Sequence, residues 1–217
     1  MRNLLCLLVV LVACQAPVTS SPTVAPVPAP TPVVQAPPPV KEVVPEPPKV
    51  KEAPPAKTRS EIIAETPTLD AMLELARADL KDRGPTDEIP LGWYEMLLWS
   101  NRNLQWGDIQ ARPATKAGLV HKDSSAEIGK RMCVSGLIIE ISTGDVAGGK
   151  FYEGGILDTQ NSDVYKFIAL RNSGTLVGSD HARFCGIVLG NHSYSNSSGG
   201  VTHAIQLLGL FDLKGNH

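Results

Sequence analysis

Hydrophobic positions change rhythm several times along this chain, and each rhythm predicts a different kind of structure. An unbroken apolar run from Leu4 to Ala13 follows the basic Arg2 and ends at Cys14. From Ala16 to about Thr58 proline recurs among Val, Ala, Glu and Lys without any period. Proline removes backbone donors and fixes φ, so helix and sheet are both disfavoured there. Helical spacing then takes over. Leu69, Met72, Leu73, Ala76 and Leu80 share one face of a helix predicted over Thr68–Arg83, with Gly84-Pro85 as its stop. A second helix is predicted from Asp87 or Glu88, with Pro90 near its first turn and Trp93, Met96 and Leu97 on one face. Residues 107–129 read mostly as loop. After Gly129 the pattern becomes that of strands, predicted at Arg131–Ser142, Lys150–Leu157, Val164–Leu170, Ala182–Leu189 and His203–Phe211.

The opening run has the layout of a secretory signal peptide: a charge, a short apolar core, then small residues. It is shorter than the roughly 20 apolar residues needed to span a bilayer. Leu11-Val12-Ala13-Cys14 resembles the lipobox of bacterial lipoproteins. That resemblance implies removal of residues 1–13, lipidation of Cys14 and a place in the bacterial cell envelope. Gln15 behind the cysteine leans towards the outer membrane. Plain secretion with an incidental cysteine is the alternative. The expected organisation is a signal peptide over 1–13, a lipidated cysteine and disordered proline-rich linker over 14–59, a helical preface with loops over 60–129, and a β domain over 130–217. The linker reads as a semi-rigid spacer extending by at most roughly 3.1 Å per residue, with a ligand for a proline-recognition module as its alternative.

Composition narrows the partners. The formal charge is -2 over the whole chain, and beyond Ser60 acidic side chains outnumber basic ones. Phosphate backbones are held by Lys and Arg, so nucleic acid is not an expected partner. Of the four cysteines, Cys6 would leave with the signal and Cys14 would carry lipid. Cys133 and Cys185 remain, and an even pair in an exported domain reads as one disulfide.

The fold class predicted is mainly β, a small five-stranded OB-like barrel preceded by one or two α-helices. A small sandwich or an SH3-like barrel competes with it. GKRMCVSGLIIEI, VYKFIAL, ARFCGIVLG and HAIQLLGLFD resemble an uncharacterised OB-like domain of bacterial, myxobacterial-type exported lipoproteins, over roughly residues 93–213. That resemblance implies a fold and an address without an activity. It would place Cys133 and Cys185 on the neighbouring first and fourth strands. An OB barrel often binds ligands on the face of its second and third strands. Here the candidate ligand face is Lys150, Tyr152, Tyr165, Phe167 and Arg171.

No motif for chemistry stands out. Gly144-Asp145-Val146-Ala147-Gly148-Gly149-Lys150 has phosphate-loop spacing, but Phe151 replaces the metal-binding hydroxyl and a strand follows, so it reads as a hairpin loop. His121, His181, His192, His203 and His217 form no metal-ligand spacing, and no cofactor or metal is expected. Trp93, Tyr94, Trp99 and Trp106 read either as a packing wedge or as a stacking platform. The function expected is a membrane-tethered, non-enzymatic interaction module that binds an envelope protein through the barrel face or loops. A glycan- or peptidoglycan-binding module is the alternative.

Overall fold

Thr58 opens the folded part. Its side chain accepts from the Glu61 N–H while the Glu61 carboxylate accepts from the Thr58 N–H, and this reciprocal cap starts α1 (Arg59–Glu65). A computed structural model of the chain describes residues 56–196 and 199–217. The predicted signal peptide, Cys14 and most of the proline-rich linker lie outside the described residues. The described residues all belong to one compact unit, Ala53–His217.

Five further helices follow: α2 (Leu69–Ala76), α3 (Leu91–Asn103), α4 (Trp106–Ala111), α5 (Ala117–Lys122) and α6 (Ser124–Glu127). The strands are β1 (Arg131–Val146), β2 (Gly149–Leu157), β3 (Val164–Leu170), β4 (His181–Ser195) and β5 (Val201–Phe211). They form a closed barrel in the order β1-β2-β3-β5-β4. Every neighbouring pair is antiparallel except β3 with β5, which is parallel.

This architecture corrects the predicted fold class. Six helices, not one or two, precede the strands, and they form a substantial second layer, though the strands hold more residues. The domain is mixed α and β rather than mainly β. The segment over 107–129 holds three short helical pieces where loop was expected. The helix predicted over Thr68–Arg83 stops early. It tightens into a 3-10 turn at Arg77–Asp79, and the chain is extended from Leu80. The reason lies in β4: Arg83 donates its N–H to the Asn191 carbonyl at 2.9 Å and accepts from the Ser193 N–H at 2.8 Å. Strand-like bonding there outcompetes one more helical turn. The Gly144–Lys150 segment closes the β1–β2 hairpin, with Ala147 and Gly148 at its tip.

The barrel wall is apolar on both sides. Inside it Phe167, Phe184 and Phe211 pack with ring centres 5.1 to 5.6 Å apart. Outside, Ile187, Leu189, Leu208 and Leu210 meet a second core supplied by Met72, Trp93, Met96 and Ile109 of the helices. Trp93 donates its Nε1–H to the Leu189 carbonyl at 3.2 Å, and Trp99 donates to Thr66 at 2.8 Å. Both rings are buried, so these two serve packing, whereas Tyr94 is 49% exposed. An ion pair joins the helices: the exposed Arg59 donates through Nε and a terminal nitrogen to the buried Glu95 carboxylate, each at 2.7 Å. Among the described residues no helix is long and apolar enough to cross a membrane.

Candidate functional site

The side chains on the outside of a strand follow from its register. Glu140 of β1 lies opposite Gly155 of β2, Gly155 opposite Lys166 of β3, and Lys166 opposite Gln206 of β5. These positions form one row across the outer wall. Gly155 contributes no side chain, so Lys166 reaches across β2 and pairs with Glu140. The same ammonium lies 4.9 Å from the centre of the Tyr194 ring. On β4 the residue opposite Gln206 is Gly190, and His192, two residues further on, turns its ring to the row. Its Nδ1 is 3.3 Å from the Gln206 side-chain oxygen, and its ring meets Trp93 and Tyr194 edge-on at 5.9 and 5.8 Å.

The segment from Arg83 to Pro90 overhangs this row and turns it into a cleft of about 310 Å³. Arg83, Ile89 and Trp93 form one wall; Glu140, Glu153, Lys166, Phe167, His192 and Gln206 are among the groups opposite. Arg83 is held by its backbone bonds to β4 and by Nε, which donates to the Asp87 carbonyl at 3.1 Å. Among the described residues its terminal nitrogens meet no acid, and the Glu153 carboxylate meets no cation. Gln206 is buried, and its amide nitrogen has only a 3.4 Å contact with the Leu207 carbonyl. Burial, together with the positive Arg83 and Lys166, holds the His192 imidazole below its ordinary pKa, against an opposing contribution from Gln206. His192 is therefore neutral at pH 7.

The candidate face predicted from sequence is not a face. Tyr165 and Phe167 point into the barrel and are 5% and 1% exposed. Burial also pushes the Tyr165 phenol up to about 12, with Asp163 and Asp158 adding to the effect. Tyr152 packs on the same inner core, and Lys150 stands at the exposed start of β2. Arg171 follows β3 and donates to the Leu104 carbonyl at the end of α3, at 2.8 Å from one terminal nitrogen. The strand phase assigned from sequence was one residue off, which exchanges inner for outer positions. An interaction module that binds a protein or a glycan through those residues is thereby overturned: Tyr152, Tyr165 and Phe167 belong to the inner core, Arg171 is tied to the Leu104 carbonyl, and Lys150, exposed at the start of β2, makes no common face with them. Lys166 and Gln206, each the lone polar side chain inside an apolar run, were the signals that mark the outer row.

Cys133 and Cys185 are joined by a disulfide between directly opposed positions of β1 and β4. Among the described residues no group of His, Cys, Asp or Glu could hold a metal ion. No protein family matches the chain, and no curated protein does. The resemblance to an OB-like domain of exported lipoproteins is corrected accordingly: the strand motifs that suggested it are shared with no family found.

Proposed function

We propose that this chain is an exported protein of the bacterial envelope that binds a small charged molecule in the Arg83–Glu153 cleft and catalyses no reaction on it. The address is supported by the sequence from Arg2 to Cys14, which suits lipid attachment at Cys14, and Gln15 favours the outer membrane. Binding is supported above all by one observation: a single cavity is lined by an arginine and a glutamate that lack charged partners among the described residues. Glu153 is exposed and Arg83 is half-buried, so water hydrates both in the absence of a ligand, and a ligand of matching charges would replace that water. The cavity is half open and lined as much by polar as by apolar groups, with Arg83, Glu140, Glu153, Lys166, His192 and Gln206 beside Ile89 and Trp93, which suits a small polar ligand.

Two experiments test the two halves. Labelled palmitate should enter the wild-type protein in bacteria and be lost in Cys14→Ala; equal labelling, or none, refutes the anchor. For the cleft, backbone amide NMR of the mature Cys14→Ser chain should be recorded with acetate, ethylammonium, glycine and glycylglycine in turn. Shifts confined to amides near Arg83, Lys166, His192 and Gln206 support the site. If all four leave those amides unmoved, the cleft is not a binding site.

A further inference from the structure

The charges of the cleft specify more than its existence. Lys166 and Glu140 neutralise one another in the middle of the row. What remains is one cation, Arg83, and one anion, Glu153, lining the same cavity. A simple anion would meet Arg83 but be repelled by Glu153 and Glu140. A simple cation would meet the acids and be repelled by Arg83 and Lys166. A molecule carrying both charges at its two ends satisfies each group without placing like charges together.

The size of the cavity limits its occupant. Glu153 stands on β2 and Arg83 runs beside β4, so the two charges line the cavity from different strands. A volume of about 310 Å³ lies at the small end of ligand pockets and admits a chain of no more than a few small residues. A peptide also brings an amide that must be paired on burial. Gln206 offers amide hydrogens that are barely used, and neutral His192 offers a ring nitrogen beside it.

We infer that the cleft binds a di- or tripeptide with free termini, its carboxylate on Arg83 and its ammonium on Glu153, over a floor formed by Lys166, His192 and Gln206. This rests on the cleft being a binding site. Recognition is by charge at the ends and is indifferent to large side chains, since the mouth is open towards the exposed Ile89.

The test is calorimetric titration of the mature Cys14→Ser chain with dialanine, N-acetyl-dialanine and dialanine amide, alongside the amide NMR. Dialanine should bind at least about tenfold more tightly than either blocked form, the equivalent of about 1.4 kcal/mol per terminus. Arg83→Gln should abolish discrimination against the amide, and Glu153→Gln discrimination against the acetyl form. Arg83→Lys and Glu153→Asp, which keep the charges, should retain each preference in part and guard against misfolding as the cause. If a blocked form binds as well as dialanine while the cleft amides still shift, the peptide-terminus inference is wrong and the cleft stands as a site of other specificity. If none of the three moves the cleft amides, the inference fails; silence from the four simple probes as well removes the site itself.

Discussion

Cys133 and Cys185 face each other across β1 and β4 and close a loop of 52 residues. Cross-linking a loop of that length restricts the unfolded chain by up to about 4 kcal/mol. The Cys133→Ala/Cys185→Ala double variant should therefore lose about 2–4 kcal/mol in urea unfolding, and reductant should destabilise the wild type to the same level. His192 gives a second residue-scale expectation. Its folded pKa lies below the unfolded value of about 6.5, so the unfolded chain binds the proton first. The ring's contribution is fully present above pH 6.5 and is lost as pH falls through the folded pKa. Urea midpoints measured from pH 7.5 down to pH 5 should fall, and His192→Gln should flatten that slope; an unchanged slope would mean the ring titrates freely. The pairing of the cysteines was legible from their number and the expectation of an exported chain. The side of the wall on which Tyr165 and Phe167 lie was not. Ile168 and Leu170 on the outer side are as apolar as Phe167 and Ala169 inside, because helices cover the outside, so alternation carries no sign of direction there.

At the scale of elements, legibility depended on length. All five predicted strand segments fall within observed strands, with β1 running on to Val146 and β4 to Ser195. The shortest helices, α1, α4, α5 and α6, escaped, since four to seven residues show too little of a 3.6-residue period to separate helix from loop. Their ends were the better signal: Thr58 with Glu61 is a capping box in plain view, and Asp123 caps α6 by accepting from the Ala126 N–H. Contacts between elements were out of reach of any local pattern. Gly92, in the first turn of α3, shows this. A Cβ placed there would lie 2.5 Å from the Asp79 carbonyl carbon and 2.7 Å from the Leu80 nitrogen, both backbone atoms that cannot swing aside. Gly92→Ala should favour the isolated helix by up to about 1 kcal/mol, yet cost the folded protein about 1–3 kcal/mol by overpacking. Thermal unfolding distinguishes the two: a rise in Tm would mean that α3 does not rest on the turn before it.

Across the whole molecule, the barrel supplies the outer row of side chains and the helical layer supplies the overhang, and neither alone makes a cleft. Sequence reading placed strands and some helices separately, but the meeting of Arg83 with Lys166 and Glu153 depends on barrel closure, a property of pairings far apart in the chain. The extended segment at Arg83 also has a second bearing. β1 pairs with β4 only as far as Ile187, so the later part of β4 would present one side of its backbone to water. Arg83 fills that side with two hydrogen bonds. An unoccupied strand margin is a template on which another chain can grow. The residue that offers a positive charge to a ligand is thus also the guard of a sticky border. Loosening its backbone, rather than altering its charge, would open that border to pairing with another chain.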